Sequence, residues 1–415
     1  MAGSAPSPTN PYQNPELFRF VGSMEGVPDW IDPAETLDER QAWAPWQRRG
    51  NELLAMAGSL VPGLAIALVF ALVGREAAAS LGAALGFERS PVSPILVAIL
   101  LGLLVRNAIG LPAVYEVGLQ LALKRVLRIG VALLGIRLSL AAVGGIGLVA
   151  LPIVVVCIAT ALLLVSGINR RLGLPRRLGT LIAVGTAICG NTAIVATGPA
   201  IGANEDEVSY AVGCITVFGL LALITYPFVT GFLFPGDLAM AGYFLGTAIH
   251  DTAQVAGAGL MVLQQQGSPV ALETATVTKL VRNVFMIAVI PLMAVLHHRS
   301  GASGDSRRPP LGQVLPLFVL GFVAMALLRT VGDLGEEPFG GLLSRESWAA
   351  WIDGLSALST GCLTVAMASV GLGTNLRRLR SLGLRPLGVG LAAALAVGAT
   401  SAVLIHLLSA WTASA

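Results

Sequence analysis

The sequence predicts an all-α polytopic membrane protein with about 11 transmembrane helices, arranged as two inverted five-helix repeats with broken crossing helices. Three observations point there. Of the 415 residues 55% are hydrophobic and only 12% are charged, about half the charged fraction of a soluble domain, and the mean hydropathy is +0.79. Apolar stretches of the roughly 20 residues needed to cross a bilayer recur along most of the chain. Several of them carry Gly, Thr, Asn and ionisable residues at mid-depth, where unpaired polar groups are costly.

The first 50 residues differ in kind. They are rich in Pro and acidic residues and lack the basic start and apolar core of a cleavable signal peptide, so residues 1–50 read as a cytoplasmic tail. Its end, "DERQAWAPWQRRGNEL", sets Trp43 and Trp46 beside Arg48 and Arg49, a mixture that settles at the headgroup interface. Residues 51–410 form one transmembrane transporter domain. Its spans are expected at 53–74, 92–106, 118–142, 144–168, 178–200, 208–235, 238–263, 271–296, 311–329, 348–372 and 386–410.

Charge sets the orientation. With the N-terminus inside, the basic residues of the tail, Arg106, Lys124, Arg125, Arg128, the pairs 170–171 and 176–177, and those at 299–308 and 377–385 all lie at cytoplasmic helix ends. Only Arg75, Arg89, Arg329 and Arg345 lie outside. This asymmetry places the N-terminus inside and the C-terminus outside a bacterial-type cell (inner) membrane. The acidic turn "ANEDE" (203–207) and the loop "GDLGEEP" (332–338) then face outward.

The internal repeat follows from direction. "LLGLLVRN" (100–107) of span two aligns with "FLGTAIHD" (244–251) of span seven, and "KRVLRIGV" (124–131) with "TKLVRNVF" (278–285). The units are about 92–235 and 238–410, and span five pairs with the Gly- and Thr-rich span ten, "LSTGCLTVAMASVGLG" (358–373). Two stretches share "GTAI", at 185–188 and 246–249, but on this reading both spans run the same way, which excludes them as inverted copies. Inverted repeats with paired broken helices belong to secondary transporters.

Span five holds Gly185, Thr186, Cys189, Gly190, Asn191 and Thr192. A half-helix ending near Gly190 and another capped by Asn191 or Thr192 would leave free N–H groups and a positive dipole end for an anion. Close helix packing is the plainer use of the same small residues. In span seven, on one continuous helix, Thr247, Asp251 and Gln254 share a face, with His250 100° round from Asp251. Ionisable residues at such depth mark function, so His250 and Asp251 are candidates for a coupling proton or for substrate contact. Lys279 and Arg282 on span eight either snorkel to the interface or draw in an oxyanion, with Arg125 and Arg128 as their cytoplasmic counterparts. Arg137 has no obvious acidic mate.

The four cysteines, Cys157, Cys189, Cys214 and Cys362, fall inside spans without metal-ligand spacing, so neither a disulfide framework nor a metal site is expected. No phosphate-binding "GxxxxGK[ST]" occurs, which argues against an ATP-driven pump, and no cofactor or nucleic-acid partner is implied.

The motifs "GTAICGNTAIVATGPAI", "VSYAVGCITVFGLLALITYP", "GTAIHDTAQVAGAG" and "KLVRNVFM" resemble the sulfate exporter family of YeiH-like proteins, over about residues 53–410. That family is grouped with bile acid, arsenite and riboflavin type transporters and with cation/proton antiporter-like folds. The resemblance places its first motif on Gly185, Thr186, Cys189, Gly190 and Asn191, and its second on Gly246, Thr247, His250, Ala253 and Gln254. Position 251 is Asp where the resemblance leads one to expect Glu. The implied cargo is a small oxyanion such as sulfate or an organic sulfonate.

The expected function is therefore secondary active export of such an anion, coupled to a proton or sodium gradient. The partners are the anion, the coupling ion and the lipid bilayer, and a homodimer is compatible with this reading. Substrate would meet Thr186, Cys189, Gly190, Asn191, Thr192, Thr247, His250, Gln254, Lys279 and Arg282, with His250 and Asp251 carrying the coupling ion. The alternative is an intramembrane enzyme with Cys189 as nucleophile and His250 as base.

Overall fold

A computed structural model describes residues 45–84, 93–298, 317–334, 337–375 and 384–414. Residues 1–59 form a unit of their own, described only as helix from Pro45 on, and Leu60–Ala415 is one compact unit. The interfacial anchor at Trp43, and the side chains of Trp46, Arg48 and Arg49, lie outside the described residues. So do Arg89 and the basic residues at 299–308 and 377–380.

Every described element is helical. They are α1 (Pro45–Ala84), α2 (Pro94–Ala108), α3 (Glu116–Leu121), α4 (Leu127–Leu134), α5 (Leu140–Leu172), α6 (Arg176–Ala187), α7 (Asn191–Ala200), α8 (Glu205–Leu233), α9 (Leu238–Ala248), α10 (Thr252–Gln266), α11 (Val270–Val284), α12 (Met286–His298), α13 (Leu317–Gly332), α14 (Arg345–Gly373) and α15 (Leu384–Ser414). A π-helical turn, Ala122–Val126, joins α3 to α4. Among the described residues, 6 helices are long and apolar enough to cross a membrane, and Pro94–Ala108, Leu238–Ala248 and Leu317–Gly332 are shorter apolar helices.

The helices form two bundles. In the first, α1 crosses α3 so closely that a Cβ on Gly63 would fall 2.6 Å from the Cα of Gly118, and α2 crosses α14 at Gly102 and Gly371. Helices α4 and α13 complete it. The second bundle holds α5 to α12 and α15. The bundles touch mainly where α10 meets α2 and α14 and where α5 meets α13.

Two pairs of helices in the second bundle are hairpins. A Cβ on Gly185 would lie 2.7 Å from Cδ1 of Ile194, whereas nine residues along one helix axis would separate them by about 13 Å. The chain therefore turns back after α6. Leu178 and Ile182 of α6 share an apolar cluster with Ile194 and Ile201 just as the reversal requires, and Leu174, Ala203 and Leu387 join the same cluster. In the second pair, α9 runs parallel to α11, with Gly242 against Thr274 and Gly246 against Thr278, while α10 runs back, with Gly259 against Leu272.

The hairpins enter from opposite ends. Helices α8 and α15 lie side by side in one direction: the Cys214 thiol donates to the Pro386 carbonyl, and Phe234 stacks on His406. The first hairpin opens at the Pro386 end and the second follows directly from the Phe234 end.

These reversals correct several expectations. Spans five and seven each turn back on themselves, so the shared direction that excluded the two "GTAI" stretches as inverted copies does not hold. The acidic turn 203–207 lies at the same end as the basic 170–177 turn, because Ala203 and Leu174 share a cluster. Thr247, Asp251 and Gln254 do not share one helical face, since the helix stops at Ala248. Span ten is an unbroken helix, α14, whose Thr360 and Thr364 hydroxyls donate to carbonyls one turn back.

Candidate functional site

The tips of the hairpins meet in the middle of the second bundle. At the first tip Ile188 leaves helical geometry, and Gly190 adopts φ 70, ψ −125, a region open essentially to Gly alone. The Gly190 N–H closes the turn on the Gly185 carbonyl at 3.0 Å. Helix α7 then starts at Asn191 with no side chain capping it.

At the second tip Ile249 is extended and Asp251 caps α10. Its carboxylate accepts from the Ala253 N–H at 2.8 Å, and its own N–H donates to Gln254 at 3.3 Å. A Cβ on Gly190 would sit 3.1 Å from Asp251 Oδ2, so the same carboxylate lies beside the start of α7. One acid thus caps α10 and lies against the N-terminus of α7.

The carbonyl ends of α6 and α9 are held by two fully buried cations on α11. Lys279 Nζ donates to the carbonyls of Ile188 at 2.8 Å, Ile249 at 2.9 Å, and His250. Arg282 donates through Nε to Ala187 at 2.7 Å and through its terminal nitrogens to Thr186, Thr247 and Ile249. Arg282 therefore reaches the Thr carbonyl of both "GTAI" motifs and Lys279 the Ile carbonyl of both. Each half-helix C-terminus carries about half a negative charge, which offsets the burial of two cations that would otherwise be strongly unfavourable.

The amide ends face the other way. Cys189, Asn191, Thr192, Asp251, Thr252, Gln254 and Asn283 line a cavity of about 1560 Å³ between the bundles. Arg106, Lys124, Arg125 and Arg128 line it from the first bundle, along with Glu116, and Asp206 lines it from α8. Arg106 is bonded to Glu116 at 2.8 Å. Asn191 donates to Thr216 at 3.3 Å and Asn283 to Thr252 at 3.2 Å, while the Oδ1 atoms of both asparagines are buried without a protein partner.

Of the residues singled out in the sequence, Cys189, Asn191, Thr192, Asp251 and Gln254 reach this cavity, whereas Thr186, Gly190, Thr247, His250, Lys279 and Arg282 are packed behind it. Lys279 and Arg282 do not snorkel; both are fully buried and bonded to backbone. Thr247 shares a 2.6 Å hydrogen bond with Ser401. The Cys189 thiol contacts the Met286 sulfur at 3.2 Å, and both ring nitrogens of His250 are buried without a partner. Arg137 donates to the Ser356 carbonyl and to the Thr360 hydroxyl, tying the end of α4 to α14. Thr216 and Asn283 were not singled out; the only sequence signal for Asn283 is a second polar residue directly after Arg282. Among the described residues no group of three or more His, Cys, Asp or Glu is placed to hold a metal ion.

Residues 62–390 match the family described as Conserved hypothetical protein 698. The chain is similar to a UPF0324 membrane protein of Agrobacterium fabrum, 33% identical over 289 residues that cover 70% of this chain and 77% of that protein. A UPF0324 membrane protein of Corynebacterium glutamicum is 32% identical over 300 residues, 72% of this chain and 80% of its own length. One from Pseudomonas aeruginosa is 30% identical over 348 residues, 82% and 92%. No solved structure matches the chain. An all-helical architecture, helices long and apolar enough to span a bilayer, and these matches together establish that the chain belongs to the UPF0324 family of membrane proteins.

Proposed function

We propose that the protein is a secondary active transporter of a small oxyanion, such as sulfate or an organic sulfonate. One observation carries this reading: the N-termini of α7 and α10 converge on the floor of a cavity whose opposite wall carries four cations. Helix N-termini attract anions through free N–H groups and the dipole, and such paired half-helices at mid-depth suit a transporter. The likeness to YeiH-like sulfate exporters supports the same cargo class.

In this reading nine crossings, formed by α1, α2, α3–α4, α5, α8, α11–α12, α13, α14 and α15, flank two re-entrant hairpins. The inverted relation links α6–α8 with α9–α12, so that the two "GTAI" stretches are its matching tips. The N-terminus is inside and the C-terminus outside, as the basic residues favour, and the cavity opens inward. The second bundle carries the anion and moves against the first. A coupling proton or sodium ion acts at Asp251, which lies where the anion binds.

The test is flux of radiolabelled sulfate, sulfite and small sulfonates in liposomes containing the purified protein, under imposed pH and sodium gradients. Movement of at least one of them down an imposed gradient is expected. Absence of protein-dependent flux of all of them under every gradient sinks the reading.

A further inference from the structure

Half-helix carbonyl ends at a mid-membrane crossing ordinarily coordinate a coupling sodium ion. Here six such oxygens, those of Thr186, Ala187, Ile188, Thr247, Ile249 and His250, are already bonded to Lys279 and Arg282. The Lys279 ammonium alone has three carbonyl oxygens around it, drawn from both tips. An ammonium so placed substitutes for a dehydrated monovalent cation, with one difference: it is tethered to α11 and cannot dissociate. Both side chains are fully buried, so the carbonyl oxygens they bond are not free to take up a mobile ion.

We propose that Lys279 and Arg282 are resident cations filling the position of a coupling sodium ion at the half-helix carbonyl ends, which leaves the coupling role at Asp251 to the proton and makes anion movement by this protein independent of sodium. The second half rests on the transporter reading; the first does not, and the experiment separates them. Thermal unfolding of the purified protein is followed in sodium chloride and in choline chloride of equal ionic strength. The wild type is expected to melt at the same temperature in both. Lys279→Ala is expected to melt lower in choline and to recover saturably in sodium, because the emptied carbonyl cage accepts the ion. Lys279→Arg keeps a cation and is expected to be indifferent to sodium.

A saturable, sodium-specific rise in Tm of the wild type overturns the proposal, as does a folded Lys279→Ala that sodium leaves unchanged. If Lys279→Ala yields no folded protein, the wild type and Lys279→Arg decide by the same criterion. In liposomes, sulfate flux is expected to be equal in sodium and choline media, and flux that requires sodium overturns the proposal. Absence of sulfate flux in both media counts against the transporter reading alone, and the melting data then judge the resident-cation assignment.

Discussion

The two hairpin tips share four letters and differ in the next two. After "GTAI" the first continues Cys189-Gly190 and the second His250-Asp251. On their carbonyl side the tips are treated alike, because Arg282 and Lys279 bond the matching Thr and Ile oxygens of each. On their amide side they are not. Helix α10 brings its own carboxylate as a cap, whereas α7 begins after a glycine and lies against the carboxylate of the other hairpin. The common half of the motif builds a fixed joint. The divergent half builds the place where, on the proposed reading, an incoming anion meets the N-termini beside Asp251.

The largest effect should come from the shared side. Arg282→Met removes a guanidinium that bonds both tips and leaves their carbonyls unpaired, so a loss of about 3–5 kcal/mol is expected, read as a fall in Tm in detergent. A variant as stable as the wild type would break the idea of a common joint.

Next comes the side on which the tips differ. Asp251→Asn keeps an N-cap of similar quality but removes the charge. It should fold, with stability changed by about 1 kcal/mol or less, and lose gradient-driven sulfate flux. A pH dependence of flux matching the wild type would end the assignment of Asp251 to coupling.

Gly190→Ala sharpens the comparison from the first tip. It forces a side chain into a backbone region costing about 1–3 kcal/mol and presses a methyl against the Asp251 carboxylate. Chemical denaturation should register that loss, while Ala substituted for Asp251 should lack the backbone component, since its φ is −93.

The smallest effect lies outside the hairpins. Burial pushes the Asp333 carboxyl up, but hydrogen bonds from Trp348 and Arg329 and the Arg329 charge outweigh it and hold the group below the usual carboxylate range. A depressed pKa contributes stability above the ordinary carboxylate value, lost as pH falls through the lower one. Asp333→Asn should therefore cost about 0.5 kcal/mol near neutrality and nothing in strong acid. A Tm difference that persists at acid pH would contradict this.

Much of the fold was legible because hydropathy reports the cost of placing each residue in lipid. That measure located the apolar stretches and flagged Gly190 and Asp251 as interruptions. It is blind to direction: α6 with α7, or α9 with α10, has about the length of one crossing and the same composition. The basic residues could not expose the difference either, since exchanging two crossings for two hairpins preserves the sidedness of all later helices. The two turns that change ends, 203–207 and 234–238, carry acidic residues and no basic ones, and acidic residues weigh little in that rule. The burial of Lys279 and Arg282 was likewise hidden, because what a basic side chain meets at its depth depends on which carbonyls the turns release. The repeated "GTAI" was the one local signal that the two tips are held alike by Arg282 and Lys279, and an assumed direction set it aside.

The glycine contacts between α1 and α3, and between α2 and α14, bring backbone against backbone with no side chain between them. A joint of that kind has no rotamers to exchange, so the first bundle behaves as a stiff frame. On the proposed reading, displacement between the bundles falls where α10 meets α2 and α14 and where α5 meets α13, and the 2.6 Å hydrogen bond from Ser93 to Gln264 ties the first of these seams.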